Sequence, residues 1–344
     1  MTHASCPTLA PAARRRSKPW RSPIGARDRY VGRLVATVLI TGGAGFIGAN
    51  AVRALLARGD RVRIIDDLSE GEAGYLADVE GEVEASWSDV RDLEALRRSA
   101  RGADHIVHLA AQSGVPPSVR DPARDFEINV RGTFNVLEAA RLESVPRVVF
   151  ASSGAVLAGA EPPLSEDMVP FPASPYGSSK LFGEAALRAW EGTFGVVGTA
   201  FRFANVYGPW SSHKLSVIAV LLRAALRGEP FGLEGTGEQT RDFVYVDDIV
   251  AALVSGMQAR QGGLYHLATG IIEPSVNQLV DLAADILGTP PAIEHRPGRP
   301  GDPLRNFADN SRARAELGWK PEVSVRDGMA ATADWLARTL EAES

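Results

Sequence analysis

Val38-Leu-Ile-Thr-Gly42-Gly-Ala-Gly45-Phe46-Ile47-Gly48 is the stretch that decides the fold of this chain. Its apolar start is typical of a buried parallel strand, and Ala49 to Arg58 have the spacing of a helix. A glycine turn between such a strand and helix is the context that a dinucleotide site requires. Gly42 permits the tight turn, Gly45 lets backbone approach a pyrophosphate, and Gly48 lets the helix pack closely on the strand. The spacing is G-x-x-G-x-x-G, so on its own the run is also compatible with an ordinary glycine turn.

The next predicted strand, Arg61 to Ile65, ends in Asp66 and Asp67. An acid at this place lies where the adenosine ribose hydroxyls of NAD would lie, and its charge would repel a 2′-phosphate. Arg61 and Arg63 precede the acids, so they are not placed to bind such a phosphate. The sequence therefore predicts NAD rather than NADP, and a solvated loop carboxylate is the plain alternative.

The composition limits the class of protein. The chain has 344 residues, of which 45% are hydrophobic and 23% charged, so it can bury a substantial core and form about two domains. Its net charge of −5 disfavours general nucleic-acid binding, and no apolar stretch is long enough to span a bilayer. Cys6 is the only cysteine, which excludes an intramolecular disulfide and a cysteine-based metal cluster. We expect no metal site and no membrane or nucleic-acid partner.

Residues 1–34 differ in composition from the rest of the chain. They contain the basic, proline-bearing run Ala13-Arg-Arg-Arg-Ser-Lys-Pro-Trp-Arg21 and lack the apolar core of a signal peptide. This composition predicts a disordered tail and a cytoplasmic protein. A start codon placed too far upstream and a short nucleic-acid arm are the alternatives.

From Val35 onward, predicted strands alternate with predicted helices. This order predicts an α/β fold with a doubly wound parallel sheet of the Rossmann type. After Pro122 a long helix is expected, with Phe126, Val130, Phe134, Leu137 and Ala140 at helical spacing on one face. The predicted strands are 36–41, 61–66, 82–87, 105–111, 147–153 and 196–203, and the other predicted helices in this part are 49–58, 92–101 and 176–191.

Tyr176-Gly-Ser-Ser-Lys180 is the first candidate for the chemistry. Residues four apart share one face of a helix, so the tyrosine hydroxyl and the lysine ammonium can reach the same ligand. A cation beside a phenol favours the ionised form, and a nicotinamide cation would add to this effect. Tyr176 is therefore predicted to act as a general base on an alcohol near neutral pH. Without the nucleotide turn upstream, the pair would be an ordinary surface tyrosine and lysine.

Ser152 and Ser153 end the fifth predicted strand. Ligands of open parallel sheets bind outside the carboxyl ends of the strands, where a serine can hydrogen-bond an oxygen that becomes a ketone. Ser153 is preferred, because the residue farther along the exit lies nearer the cleft. A serine that only completes the turn is the alternative.

Together these motifs resemble the extended short-chain dehydrogenase/reductase family. The resemblance covers about residues 36 to 340, and within the family the chain is similar to nucleotide-sugar epimerases of the UDP-glucose 4-epimerase group. Further matching stretches are Asn129–Thr133, Phe201–Pro209, Gln239–Asp248 and Gly298–Asp302.

The resemblance implies NAD as cofactor and Tyr176, Lys180 and Ser153 as the catalytic residues. Asp89 and Val90 look like the adenine contacts in this family. The whole implied cofactor set is Gly42, Gly45, Phe46, Ile47, Gly48, Asp66, Asp67, Asp89, Val90, Ala110, Ala111, Gln112, Asn129, Tyr176 and Lys180.

The resemblance also implies a UDP-sugar site, a smaller α/β substrate-binding domain and a homodimer. The dimer of the family is built from helices that correspond to residues 125–142 and 176–191 here. The implied domains are 35–205 plus 242–270 for the cofactor and 206–241 plus 271–344 for the nucleotide sugar. The implied substrate contacts are Ser152, Ser153, Asn205, Arg241, Arg299 and Asp302. Arginine forks match phosphate oxygens, which suits Arg241 and Arg299 to a diphosphate.

Two departures from the family pattern bear on the reaction. Leu157 and Ala158 replace the usual tyrosine and glycine of the turn after strand five, which leaves the shape of that turn open. Gly154 and Ala155 stand where dehydratases and decarboxylases of the group usually carry an acid. The resemblance therefore implies a 4-epimerase that works through a transient 4-keto sugar. A net reductase and a non-catalytic NAD-binding regulator are the alternatives.

The sugar is the least determined part of this interpretation. His213 and Lys214 lie in a loop that we expect to border the sugar, where they could bind a carboxylate. Asn306 stands where some relatives place a bulky tyrosine. The chain is similar to UDP-glucuronate 4-epimerases of actinobacterial glycolipid-antibiotic pathways, which implies conversion of UDP-glucuronate to UDP-galacturonate. UDP-glucose and UDP-N-acetylglucosamine are the alternatives.

Overall fold

The computed structural model describes residues 35–212, 214, 216–271, 274–298 and 304–343. The predicted tail 1–34 and the predicted site residues His213, Arg299 and Asp302 lie outside these ranges. Within them, no helix is both long and apolar enough to cross a membrane. The same ranges hold no group of at least three His, Cys, Asp or Glu side chains placed to bind a metal ion.

A parallel sheet of seven strands forms the centre of the molecule, which confirms the predicted α/β class. The strands lie in the order β11-β6-β5-β4-β1-β2-β3, so the chain reverses direction across the sheet between β3 and β4. Ligands bind at such a reversal point, outside the carboxyl ends of the strands. The strands are β1 Thr37–Thr41, β2 Arg61–Asp66, β3 Val83–Trp87, β4 His105–His108, β5 Arg147–Ser153, β6 Val197–Phe203 and β11 Gly263–Leu267.

Helices cover both faces of this sheet. Successive side chains of a strand point to opposite faces, and β1 shows the consequence, since Val38 and Ile40 pack in one core and Leu39 in the other. The first core includes α1 Phe46–Ala57 and α8 Val246–Gln258. The second includes α2 Leu93–Ala100, α5 Gly132–Leu142 and α6 Pro175–Phe194.

The predicted long helix after Pro122 is continuous but contains a π-helical turn. It consists of α4 Pro122–Asp125, the π-helical turn Phe126–Arg131 and α5, and it follows the short α3 Val115–Arg120. A π turn holds more residues than an α turn and so shifts the face of the residues that follow it. Of the side chains at helical spacing, Leu137 is buried, whereas Phe126 and Phe134 are 55% and 42% exposed. The polar side chains of Asp125 and Asn129 are buried.

A third core belongs to the smaller, mostly C-terminal part of the chain. It joins α7 Val217–Arg227, α9 Val276–Leu287 and α11 Val325–Glu343 around Leu222, Leu279 and Trp335. Three two-stranded parallel ladders border it, and the last short helix is α10 Ser311–Leu317. The ladders are β7 Asn205–Tyr207 with β10 Phe243–Tyr245, β8 Phe231–Glu234 with β12 Ile293–Arg296, and β9 Thr240–Arg241 with β13 Arg305–Asn306.

The predicted division into two domains stays a prediction. Tyr207 and Leu222 of the predicted substrate-binding part pack in the third core. Ala313 and Trp319 also fall in that part, but they pack in the first core with α1 and α8.

Candidate active site

The glycine turn after β1 is built as the sequence predicts. Gly42 has φ +73° and its N–H bonds the Ile65 carbonyl, which ties the turn to the end of β2. A Cβ at Gly48 would lie 2.1 Å from the Gly42 oxygen, so this position in the first turn of α1 requires a glycine. Gly45 caps α1 without a side chain, which leaves the first amides of the helix to an anion.

Asp66 ends β2 beside this turn and is 7% exposed. Its carboxylate accepts N–H groups from Ala44 at 2.9 Å and Leu68 at 2.8 Å, while Asp67 is exposed. Burial raises the pKa of Asp66, and the two backbone bonds oppose that shift. The carboxylate is thus fixed at the turn, with oxygens oriented by backbone amides, as a ribose-binding acid must be.

A cleft opens at the carboxyl ends of the central strands. Ligands of open parallel sheets bind at this edge. The glycine turn, the fixed acid and a long cleft together fit a dinucleotide. The predicted cofactor residues that line it are Gly42, Gly45, Phe46, Ile47, Gly48, Asp66, Asp67, Asp89, Val90, Ala110, Ala111, Tyr176 and Lys180.

Two predicted cofactor residues lie behind the wall of the cleft. Asn129 is 2% exposed, and its amide group exchanges bonds with the backbone N–H and carbonyl of Gln112 at 2.9 and 3.1 Å. Asn129 also donates to Asp125 at 2.8 Å. These bonds hold the backbone of Gln112 in place next to Ala111, which lines the cleft.

Helix α6 brings Tyr176 and Lys180 to the same wall. Ser174 caps the helix by accepting the Gly177 N–H at 3.1 Å, and Pro175 occupies its first position. Lys180 is 4% exposed and donates its ammonium to the Ala151 carbonyl at 2.9 Å. This bond fixes the cation between the end of β5 and the tyrosine ring, whose centroid lies 5.6 Å from Nζ.

Burial opposes the predicted ionisation of Tyr176 in the protein without its cofactor. Burial raises the pKa of Tyr176 to about 12, against a hydrogen bond with Ser153 that lowers it. Burial also lowers the pKa of Lys180 to about 8, and Asp125 opposes that shift. Removal from water disfavours both charged forms. The role of Tyr176 as a general base beside a bound nicotinamide cation stays a prediction.

The two serines at the end of β5 have different partners. The Ser153 Oγ accepts the Ala155 N–H at 3.2 Å, and hydrogen bonding by Ser153 lowers the pKa of Tyr176. Ser152 is 2% exposed and donates to Glu184 at 2.5 Å. Ser152 is among the residues that line the cleft, and Ser153 is not.

The turn after β5 forms despite its departure from the family pattern. Gly154–Leu157 is a single 3₁₀ turn, and Leu157 is 1% exposed. Its side chain packs with Val156, Leu164 and Ala308, so an apolar contact takes the place of the missing tyrosine.

The described part of the predicted sugar site lies on two short ladders. Asn205 is exposed on β7 and donates to the Asp242 carbonyl at 3.1 Å. Arg241 lies in register with Asn306, and Asn306 is exposed, as a widened pocket requires. Asp242, between these ladders, accepts the Thr269 N–H at 2.8 Å and so holds the loop after β11 in place.

Lys214 lies at the glycine-turn end of the cleft, together with Ser69, Glu70 and Gly71. Burial lowers the pKa of Lys214, and Glu70 opposes that shift. Ser152, its predicted partner in a carboxylate site, lines the same cleft.

Sequence reasoning missed three buried charged residues under the site. Arg202 and Glu184, 1% and 7% exposed, form a two-point ion pair at 2.9 and 2.8 Å below Ser152. Asp125, 1% exposed, bonds Asn129 and acts electrostatically on Lys180. Two of them could have been found from helical spacing, because Glu184 stands four residues after Lys180 and Asp125 four residues before Asn129.

The comparisons with known proteins agree with this geometry. Residues 38–268 match the model of the NAD dependent epimerase/dehydratase family. A UDP-glucose 4-epimerase of Mycolicibacterium smegmatis is 40% identical over 305 residues, covering 86% of this chain and 97% of its own. A dTDP-glucose 4,6-dehydratase of the same species is 31% identical over 307 residues, covering 87% and 92%.

Solved structures extend these matches to bound ligands. The UDP-glucose 4-epimerase of Thermotoga maritima, solved with UDP-glucose, has a TM-score of 0.83 at 34% identity and covers 88% of this chain and 99% of its own. MoeE5, solved with UDP-glucuronic acid and NAD, has a TM-score of 0.80 at 34% identity, with the same coverage.

Proposed function

The chain belongs to the NAD-dependent epimerase/dehydratase family, and from this premise we propose that it is an isomerase that inverts C4 of a UDP-hexose. Membership confirms the resemblance drawn from the motifs and the NAD dependence predicted from Asp66. The observation that carries the proposal is that Tyr176 and the buried Lys180 lie together in the lining of the nucleotide cleft, 5.6 Å from ring centroid to Nζ.

The proposed mechanism assigns one task to each catalytic residue. Tyr176 removes the proton of the C4 hydroxyl and later returns one to the 4-keto oxygen, as a general base and then an acid. Ser153 hydrogen-bonds the same oxygen, and Lys180 stabilises the ionised phenol. NAD, when bound, supplies the acceptor and donor of hydride. Inversion requires that the keto sugar present its other face to the cofactor before reduction. In this mechanism Asn205 and Arg241 bind the diphosphate and leave the hexose free to turn.

Dehydration of the sugar is the competing reaction in the same family. Elimination needs an acid beside the catalytic serine, and Gly154 and Ala155 supply none. The space is open, since a Cβ on Gly154 would meet only the Phe203 oxygen at 3.9 Å. The absent carboxylate is thus not a consequence of crowding, and it supports epimerisation.

We propose UDP-glucuronate as the leading substrate, with UDP-glucose and UDP-N-acetylglucosamine as alternatives. The support is similarity to MoeE5, which has been solved with UDP-glucuronic acid and with UDP-glucose. Of the expected carboxylate donors, Ser152 donates to Glu184 and Lys214 lies near Glu70, so backbone amides near Gly154 are the proposed ligands. The predicted roles in antibiotic biosynthesis and in the cytoplasm stay predictions.

Incubation of the purified protein with a panel of UDP-sugars tests this function. We expect equilibration of UDP-glucuronate with UDP-galacturonate and no accumulation of free NADH, because oxidation and reduction occur in one site. The products are separated by chromatography and NADH is followed at its absorbance. Stoichiometric NADH release would identify a dehydrogenase. Turnover of UDP-glucose without UDP-glucuronate would remove the uronate and leave the 4-epimerase mechanism.

We further propose a homodimer built on the helices that the family uses. Apolar side chains on and near α5 and α6 stand exposed, as an unpartnered interface would leave them. Phe134 packs edge-to-face on Trp190 at 5.7 Å, which joins the two helices into one surface. The exposed members are Phe126, Phe134, Leu142 and Phe194.

Replacing Phe134 by glutamate is expected to convert the dimer to a monomer, because a buried unpaired charge opposes association strongly. Analytical ultracentrifugation measures the mass. Val169, 86% exposed and outside both helices, is the control, and its change to glutamate should leave the dimer intact. A Phe134→Glu protein that sediments as the wild type would place the interface elsewhere.

A further inference from the structure

A short segment crosses from β7 to the cofactor site, and we name it the strap: residues Gly208–Ser212 and Lys214. Trp210 has φ +66°, which turns the chain sharply after Pro209. The Ser211 hydroxyl donates to the Gly208 carbonyl at 2.5 Å, and the Lys214 N–H bonds the Ser211 carbonyl at 3.0 Å. The backbone of the strap is therefore folded on itself before it reaches the cleft.

The strap is fixed to the elements that build the dinucleotide site. The Arg53 guanidinium of α1 lies 3.8 Å from the Trp210 ring centroid, and the Tyr75 ring packs on the same indole at 5.6 Å. The Tyr75 hydroxyl also hydrogen-bonds Ser212. Asn50 of α1 donates to the Pro209 carbonyl at 3.0 Å. The strap is therefore held by α1 and by the segment after β2, the two elements that flank the glycine turn.

Lys214 is placed by these contacts at the glycine turn. Ser69–Gly71, which lines the cleft with Lys214, lies directly on that turn, since a Cβ on Gly71 would be 2.9 Å from Ala44. Arg223 donates to the Lys214 carbonyl at 3.4 Å and holds its backbone. Glu70, in the same part of the cleft lining, acts electrostatically on the Lys214 ammonium and opposes the lowering of its pKa by burial.

Acidic side chains outnumber basic ones in the described lining of the cleft. The described lining carries four acids, Asp66, Asp67, Glu70 and Asp89, and two cations. One cation, Lys180, is bonded to the Ala151 carbonyl near Tyr176. Lys214 is the other, at the end where the amides of α1 can bind an anion.

We propose that Lys214 is a cofactor-binding residue whose ammonium pairs with the diphosphate of NAD at the start of α1, and that the strap retains the dinucleotide. Lysine binds phosphate as a point charge, and charge-assisted bonds are the stronger ones. On binding, Lys214 exchanges Glu70 for the diphosphate. This reassigns Lys214 from the sugar carboxylate, for which the sequence proposed it, to the cofactor.

Binding of NAD, ADP and adenosine to the cofactor-stripped protein tests the pairing. Lys214→Ala should weaken NAD and ADP by on the order of tenfold and leave adenosine unchanged, because only the first two carry the diphosphate. Lys320→Ala, at an exposed lysine, is the matched control and should change none of the three. The assay contains no sugar, so it is independent of the substrate proposal.

Three other outcomes would overturn the assignment. Unchanged NAD and ADP binding would remove Lys214 from the cofactor site. Equal losses for ADP and adenosine would mean that the change disturbs packing and not the diphosphate. A higher KM for the UDP-sugar, with cofactor binding intact, would return Lys214 to the sugar.

The retention role of the strap has its own test. Tyr75→Phe keeps the ring on Trp210 but removes the hydroxyl that bonds Ser212. Release of labelled NAD from the holoenzyme should become several-fold faster, while adenosine binding stays as in the wild type. A release rate equal to that of the wild type would show that the strap does not hold the cofactor.

Discussion

Tyr176→Phe is expected to reduce the epimerisation rate by about 10²–10⁴-fold, the usual contribution of a general acid–base group. The phenyl ring keeps the position beside Lys180, whose Nζ lies 5.6 Å from its centroid, and only the ionisable oxygen is lost. Ser153 and Lys180 remain, but neither can take the C4 proton. The rate is measured with saturating UDP-sugar under single-turnover conditions, so that product release does not mask the chemical step.

Two measurements separate this effect from a structural one. The NAD content of the purified Tyr176→Phe protein should equal that of the wild type, because no contact to the glycine turn changes. Tyr265→Phe is the matched control, since the Tyr265 hydroxyl donates to Glu316 at 2.9 Å and neither residue lines the cleft. That variant should keep its activity. A Tyr176→Phe protein of near-normal activity would show that another group is the base.

Arg202→Met is expected to lower the free energy of unfolding by about 3–5 kcal/mol, the range for removing one partner of a buried ion pair. Arg202 is 1% exposed and bonds Glu184 at two points, 2.9 and 2.8 Å. Methionine fills much of the volume but leaves the carboxylate of Glu184 without the guanidinium, with the Ser152 hydroxyl as its remaining donor among the described side chains. Urea unfolding followed by circular dichroism measures the change.

An exposed ion pair on α6, the helix that carries Glu184, is the control for this substitution. Arg188 pairs with Glu191 on α6, with 73% and 26% of the side chains exposed, and Arg188→Met should change stability little. Equal effects of the two substitutions would mean that burial does not decide the value of the Arg202 pair. Because Glu184 also holds Ser152, Arg202→Met should lower activity as well, through the end of β5.

The local sequence was sufficient for six of the seven strands of the central sheet and for the pairing of Tyr176 with Lys180, whereas β11 was not predicted. Strand β1, the glycine turn and α1 follow from one stretch, because apolar runs and glycine positions act within a few residues of themselves. Tyr176 and Lys180 follow from helical spacing, which is equally local. Asp66 was predictable because a parallel βαβ unit always returns the second strand beside the first.

The tertiary structure decided what depends on segments far apart in the chain. Helical spacing grouped Phe134 with Leu137, but the packing of α5 leaves Phe134 42% exposed and Leu137 1% exposed. Spacing placed a lysine beside Tyr176, but only burial, which the whole fold sets, determines that the pKa of the phenol rises.

Lys214 shows the difference most plainly. Its sequence position indicated a loop after strand six and a sugar carboxylate. Its place at the glycine turn comes from contacts such as Tyr75 to Ser212, which are 137 residues apart. The sequence by itself thus determined the order of strands and helices, the nucleotide turn and the catalytic pair, because each is set by neighbours along the chain. Which side chains share the cleft, and with what charge, was decided by the tertiary structure, because burial and contacts arise only when distant segments pack together.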